Sequence, residues 1–136
     1  MRVLGIDFGE RRVGLAVSDP SGLIASSCGI LERNSDQQVA EQIACVATQM
    51  GVELVVVGLP LNADGAEGYQ ARRVRRFGEL LRRQIHIPLI YWDEYNTTTD
   101  AGALLRLRGA SRRRRRVDDV AAAVLLQSYL DAQRGI

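Results

Sequence analysis

Residues 3–9 read Val-Leu-Gly-Ile-Asp-Phe-Gly, a short apolar run that ends in an acid and a glycine. This pattern predicts a buried β-strand over residues 3–7, followed by a turn. Residues 12–18 resume the apolar pattern, so the two strands are expected to pair as a hairpin. Residues 19–22, Asp-Pro-Ser-Gly, suit a type I turn, and a third strand is expected over residues 23–31. The first quarter of the chain is therefore predicted to be a three-stranded antiparallel meander.

The rest of the chain alternates helices and strands. Ser35 begins a capping-box pattern before a helix that Gly51 is expected to end. Further segments follow as a strand (53–58), a helix (68–83), a strand (88–94), a helix (97–107), a basic loop (109–116) and a helix (117–132). The order β-β-β-α-β-α-β-α predicts one α/β domain over residues 1–136, a mixed five-stranded sheet with helices on its faces.

Composition excludes several classes of protein. The chain has 136 residues, of which 46% are hydrophobic and 25% charged, as in an ordinary globular domain. No apolar run approaches the roughly 20 residues of a membrane helix, and Asp7 comes too early for a signal peptide. Two isolated cysteines and one histidine argue against a zinc site or a disulfide framework. A cytoplasmic protein with no membrane partner is expected.

The basic residues are all arginines, and thirteen of the eighteen fall in two short stretches, residues 72–83 and 106–116. Guanidinium groups suit phosphate geometry, so these stretches predict contacts with a nucleic-acid backbone. The alternative is a solvated helix face and a disordered loop, but five consecutive arginines repel one another unless a polyanion is near. The candidate contacts are Arg72, Arg73, Arg76, Arg112, Arg113, Arg114, Arg115 and Arg116.

Acidic residues stand at strand ends and at a helix start. Asp7 ends the first strand, Asp93 and Glu94 close the fifth, and Asp118 opens the last predicted helix. Because side chains alternate along a strand, only one of Asp93 and Glu94 can share a face with Asp7. Each acid also has a purely structural interpretation: a helix cap for Asp118, an ion pair for Glu94 and turn amides for Asp7.

Taken together, the acids favour a metal site. Carboxylates gathered in one crevice repel one another, and a cation is the usual means of neutralising them. Oxygen ligands without histidine or cysteine select Mg²⁺ or Mn²⁺, and a pair of such ions is a common device for displacement at phosphorus. Metal-binding acids beside a polycationic stretch predict a nuclease.

Four motifs in order resemble the YqgF (RuvX) family, bacterial relatives of the RuvC resolvases with an RNase H-like fold. They are Gly-Ile-Asp-Phe-Gly (5–9) with Arg-Val-Gly-Leu-Ala (12–16), Val-Gly-Leu-Pro-Leu-Asn (57–62) with Asp-Gly (64–65), Asp-Glu (93–94) with Thr-Thr (97–98), and Val-Asp (117–118) with Ala-Ala (121–122) and Leu-Leu-Gln (125–127). The resemblance covers essentially the whole chain.

The resemblance implies a metal-dependent nuclease whose catalytic and metal-binding triad is Asp7, Glu94 and Asp118. It also implies that Arg12 contacts phosphate or the acidic cluster. Family members are associated with trimming precursor 16S rRNA and, by analogy with RuvC, with resolving Holliday junctions in branched DNA. Tyr95 and Asn96 depart from the family pattern, which usually has arginine and an apolar residue there.

Three alternatives follow from these observations. A catalytically weakened nucleic-acid-binding module would fit the arginines and the unusual residues Tyr95 and Asn96. A junction resolvase would favour a homodimer because its paired cuts are related by two-fold symmetry, whereas a monomer suffices to trim one RNA end. A small ATPase or sugar-kinase relative would need a second phosphate loop and a second domain, for which the chain has no room.

Overall fold

The computed structural model describes residues 1–93 and 114–135, with side chains in the second range from residue 120 onward. The described elements, in chain order, are β1 (Val3–Phe8), β2 (Arg12–Ser18), β3 (Ala25–Glu32), α1 (Asp36–Gln49), β4 (Leu54–Leu59), α2 (Tyr69–Arg82), β5 (Leu89–Asp93) and α3 (Arg114–Gln133). The helix predicted over residues 97–107 lies outside the described residues. Within them, no helix combines the length and apolar character that crossing a bilayer requires.

The five strands form one sheet in the order β3-β2-β1-β4-β5. β1 pairs antiparallel with β2 and parallel with β4, and β4 pairs parallel with β5. The parallel pairs need crossover connections, which α1 and α2 supply, as usual for this kind of sheet. The predicted meander, the parallel strands and the mixed five-stranded α/β sheet are confirmed.

The turn between β2 and β3 is longer than predicted. β3 begins at Ala25 rather than at residue 23, because the Asp19 carboxylate accepts the backbone N–H groups of both Leu23 and Ile24 at 2.8 Å. These bonds compete with strand pairing and lower the pKa of Asp19 well below its usual range. The β2–β3 register then shifts between Leu15 and Ala16, near Gly29, whose φ is 129°.

The first two helices follow the predicted caps and apolar stripes. The Ser35 hydroxyl accepts the Gln38 N–H at 3.1 Å and caps α1. Gly51, with φ of 66°, lies just beyond its end. In α2 the expected apolar stripe is buried, and it includes Val74, Phe77 and Leu81. The exposed face of that helix carries most of its arginines.

The last helix differs from the prediction at its start. α3 begins at Arg114 instead of residue 117, so Arg114, Arg115 and Arg116 form its first turn rather than a loop. Asp118 is the fifth residue of the helix, and its interpretation as a helix cap is wrong. Arginine has a high helix propensity, and the sequence between Arg114 and Asp118 contains no glycine or proline. Charge alone was a poor guide to local backbone structure here.

The sheet separates two apolar layers. α1 and α2 cover the face that carries Leu4 and Ile6, and α3 covers the opposite face, which carries Val3 and Ala16. Gly5 lies on this α3 face, where a Cβ atom would come within 2.8 Å of the Leu126 Cβ. The missing side chain at residue 5 therefore sets how closely α3 approaches β1.

Gly5→Ala is expected to destabilise the fold by about 1–3 kcal/mol, because the new methyl group must push α3 away from the sheet. Intrinsic backbone propensity predicts the opposite sign, a gain of about 0.5–1 kcal/mol in a strand interior. Urea denaturation followed by circular dichroism measures the difference. Equal or greater stability of the variant would contradict the close approach of α3.

Tyr91 connects β5 to α2 on the other face. A Cβ atom at Gly78 of α2 would lie 2.2 Å from the Tyr91 hydroxyl, so only glycine leaves room for this side chain. The hydroxyl donates to Glu79 Oε2 at 2.9 Å. Burial, and then the bond to Glu79, raise the pKa of Tyr91 from 10.0 to about 12.

This shift predicts a specific loss of stability in alkali. The folded chain keeps the Tyr91 proton that the unfolded chain releases near pH 10, so the stabilisation is complete below pH 10 and is lost between pH 10 and about 12. Because the chain contains no lysine, few other groups titrate in that range. The melting temperature of Tyr91→Phe should therefore fall less steeply across this interval than that of the wild type. Parallel curves for the two proteins would contradict the assignment.

Candidate active site

The carboxyl ends of three strands meet at one edge of the sheet, because β1, β4 and β5 run parallel. Asp7 is the penultimate residue of β1, and Asp93 is the last residue of β5. Asp7 alternates with Val3 and Gly5 and so lies on the α3 face. Asp93 alternates with Leu89 and Tyr91, which pack on the α1–α2 side.

Asp93 is therefore on the opposite face of the sheet from Asp7. This agrees with the prediction that only one of the two neighbouring acids can join Asp7. Glu94, the other acid, lies outside the described residues, and its membership of the triad stays a prediction.

Asp7 is half-buried and lies between positions that carry no side chain. Its partner on β2 is Gly14. Continuing the β1–β4 register one step beyond the Ile6–Val57 pair sets Gly58 on its other side. Sequence reasoning assigned no role to these glycines; their spacing from Asp7 becomes informative only once the register is known. An oxygen donor flanked by two glycines fits a hard divalent cation, since the positions directly opposite it carry no side chain.

Arg12 lies near Asp7 across the hairpin, and its contact with phosphate or the acidic cluster stays a prediction. Arg12 precedes Gly14 by two residues, so it shares the α3 face and is diagonal to Asp7 across the hairpin. Its side chain is 29% exposed, and Nε lies 3.7 Å from Glu32 Oε1 on β3. From this diagonal position, the long and partly exposed side chain of Arg12 can reach either the Asp7 carboxylate or a phosphate bound beside it.

Asp118 lies on the helix that covers the Asp7 face. It is one turn before Ala122, a buried member of the α3 layer, and two turns before Leu126, which contacts Gly5. The Asp118 side chain is outside the described part of the chain. Among the side chains that are described, no three His, Cys, Asp or Glu residues converge on a possible metal position. The complete triad stays a prediction, with Asp7 as its described member.

The arginines of α2 divide into two groups. Arg75 makes two hydrogen bonds of 2.7 Å to Glu67, and its guanidinium lies 4.8 Å from the Tyr91 ring centroid. Arg82 bonds the Leu89 carbonyl at 3.0 Å and pairs with Glu79. The guanidinium groups of these two arginines are thus occupied by contacts within the protein. Glu67 was missed as a partner because it lies in the loop before the helix, eight residues from Arg75.

The predicted phosphate contacts on α2 are placed differently. Arg72 and Arg76 are exposed, and Arg73 is half-buried with its guanidinium 5.9 Å from the Tyr69 ring centroid. Among the described residues, the ion pairs of α2 involve Arg75 and Arg82 rather than these three. Of the second stretch, Arg114, Arg115 and Arg116 have a described backbone in α3, and Arg112 and Arg113 lie outside the described residues.

Comparison with known proteins gives one consistent result. The family model described as "RuvX: Holliday junction resolvase" matches residues 1–132. A protein of Syntrophus aciditrophicus is 43% identical over 97% of this chain and 89% of its own length. One of Caldanaerobacter subterraneus subsp. tengcongensis is 41% identical over 98% and 99%. Both relatives carry the name "Putative pre-16S rRNA nuclease".

Solved structures agree on the fold. The chain is similar to Thermus thermophilus RuvC in complex with a Holliday junction substrate, with a TM-score of 0.64 and 18% identity over 99% of this chain and 96% of that one. It is also similar to the fowlpox virus Holliday junction resolvase, with a TM-score of 0.57 and 15% identity over 97% and 99%. The predicted RNase H-like architecture is thus confirmed.

Proposed function

The chain belongs to the RuvX family, and on that premise we propose that it is a metal-dependent endonuclease that processes the 5′ end of precursor 16S rRNA in the cytoplasm. The observation that carries the proposal is the near-full-length similarity, at about 40% identity, to relatives named for this activity. The position of Asp7, at the carboxyl edge of the sheet between two glycine positions, supports it.

The metal would be Mg²⁺ or Mn²⁺, held by the carboxylates of Asp7, Glu94 and Asp118. All the donors are oxygens, the type these ions prefer. When bound, a pair of such ions supplies an activated water and stabilises the leaving oxygen of a phosphodiester. Arg12, diagonal to Asp7, would orient the scissile phosphate and offset part of its negative charge.

The remaining arginines would bind backbone phosphates of the nucleic acid other than the one that is cleaved. Arg72, Arg73 and Arg76 offer guanidinium groups on α2, a helix that begins after the carboxyl end of β4. The arginines of residues 112–116 end two residues before Asp118, so that a nucleic-acid strand bound by them would pass close to a proposed metal ligand. Contacts of this kind fix position and carry no sequence information.

Resolution of Holliday junctions is the second candidate function, favoured by the description of the family model. It would require a homodimer, because two symmetry-related strands must be cut together. A monomer would suffice for one RNA end. Parallel cleavage assays on a precursor 16S fragment and on a four-way DNA junction separate the two functions directly.

Asp7→Asn is expected to lower cleavage more than about 100-fold at saturating Mg²⁺, since even outer partners of metal ligands typically account for 10- to 100-fold. Glu94→Gln and Asp118→Asn should behave similarly. The chain offers matched controls in Asp93→Asn and Asp119→Asn, each removing one charge from an adjacent position. Initial rates on a labelled precursor 16S fragment measure all five.

The pattern across these variants decides the assignment. Unchanged cleavage by Asp7→Asn would refute the catalytic role of Asp7. Equal losses in the control variants would show that local charge, not the triad, matters. A wild-type protein that binds RNA, cleaves neither substrate and is indifferent to chelation would instead be the weakened binding module suggested by Tyr95 and Asn96.

The two groups of α2 arginines predict different salt dependences of binding. Arg76→Gln should reduce the slope of log K against log salt by about 0.7 to 0.9, the value of one lost phosphate contact. Arg82→Gln removes the same charge from the same helix, but its guanidinium is bound to Glu79 and Leu89, so its slope should match that of the wild type. Fluorescence anisotropy over a salt series measures both slopes. Equal slopes for the two variants would contradict the proposed contact between Arg76 and a backbone phosphate.

A further inference from the structure

Arg33 occupies an enclosed position on the side of the sheet opposite the proposed metal ligands. Its side chain is 14% exposed. Nε donates to Asp36 Oδ1 at 2.9 Å, and Nη1 donates to the Glu10 carbonyl at 2.9 Å. The guanidinium also lies 4.3 Å from the Phe8 ring centroid. One side chain thus joins the start of α1, the turn between β1 and β2, and the end of β1.

The contacts of Arg33 bracket the turn that follows Asp7. Its backbone N–H donates to the Arg11 carbonyl at 2.9 Å, so main chain and side chain hold consecutive residues of the turn. Phe8 is clamped between Arg33 and Phe77 of α2, with the two rings stacked at a centroid distance of 4.2 Å. The turn is thus tied to the segment between β3 and α1 through Arg33, and Phe8, which precedes it, packs against α2.

This turn carries two residues of the proposed site at its ends. Asp7 directly precedes Phe8, and Arg12 directly follows the carbonyl that Arg33 binds. Within the turn, the Gly9 N–H donates to the Arg12 carbonyl at 2.9 Å, and a Cβ atom at Gly9 would lie 2.7 Å from that oxygen. A loosened turn would let the adjoining ends of β1 and β2 move, and with them Asp7 and Arg12.

We infer that Arg33 is a positioning residue, which holds the β1–β2 turn so that Asp7 and Arg12 keep the geometry that cleavage requires. The inference rests on the proposed nuclease function. Arg33 touches neither substrate nor metal; it acts through Phe8 and the Glu10 and Arg11 carbonyls. A misplacement of about 1 Å at reacting groups can reduce turnover about 100-fold, so the effect of losing the clamp is expected mainly in kcat.

Arg82 provides a matched control. Like Arg33, it bonds one backbone carbonyl and pairs with an acid three residues away, but its contacts lie at Leu89, where β5 begins, far along the sheet from the carboxyl edge. Arg33→Met and Arg82→Met therefore each remove one carbonyl bond and one acid pair, at opposite ends of the sheet, and the contact with the Phe8 ring is lost in Arg33→Met. Both variants keep an unbranched, uncharged side chain at the substituted position.

Two measurements test the inference. Cleavage kinetics on a labelled precursor 16S fragment should show kcat reduced about 10- to 100-fold in Arg33→Met, with KM within about twofold, and kcat nearly unchanged in Arg82→Met. Hydrogen exchange of the metal-free, RNA-free protein should show faster exchange at residues 9–12 in Arg33→Met only.

Arg33→Lys serves as a second variant if Arg33→Met fails to fold. Lysine keeps the charge, but its ammonium cannot bond both Asp36 Oδ1 and the Glu10 carbonyl while contacting the Phe8 ring. Arg33→Lys should therefore show a smaller decrease in kcat and a smaller increase in exchange at residues 9–12.

The outcomes separate the inference from the function on which it rests. Equal kcat in the two methionine variants, or unchanged exchange at residues 9–12, would overturn the role of Arg33 while wild-type cleavage left the nuclease function standing. Absence of cleavage by the wild type would overturn the proposed function, and the catalytic consequence of Arg33 with it. In that case, hydrogen exchange measured without RNA still shows whether Arg33 holds the β1–β2 turn, because it does not depend on cleavage.

Discussion

The mixed pairing of β1 is the constraint on which the rest of the structure depends. This strand bonds to β2 antiparallel on one side and to β4 parallel on the other. The parallel side brings the carboxyl ends of β1, β4 and β5 to one edge, and the antiparallel side returns the chain to the same edge at Arg12. Strand pairing therefore makes Asp7 and Arg12 neighbours at the edge where the β1–β2 turn lies.

Most of the fold was readable from the sequence because its signals are local. Apolar runs of five to seven residues located four of the five described strands, a turn signal located β3, and Ser35 and Gly51 marked the limits of α1. The errors arose where a local rule competed with another interaction. The Asp19 carboxylate accepts backbone N–H groups of residues that were predicted to begin β3, and the arginines of residues 114–116 extend a helix although their charge suggested a loop.

Less of the site could be predicted, because a site depends on register. Alternation alone left Asp93 and Glu94 equivalent, and the pairing of β5 shows that Asp93 faces away from Asp7. The Glu67–Arg75 pair joins a loop to a helix, and the Arg33 contacts join three elements; no spacing rule finds either. The triad of Asp7, Glu94 and Asp118 stays a prediction, and the described residues place Asp7 and Arg12 at one edge of the sheet.

The irregularity in β3 has a consequence for behaviour at high concentration. β3 forms one border of the five-stranded sheet, where unpaired amides and carbonyls could recruit a strand from another molecule. The shift in register near Gly29 divides that border into two short segments whose bonding groups no longer follow one line. Two copies meeting side by side can match only a few residues, so the same kink that interrupts the ladder discourages sheet-to-sheet aggregation.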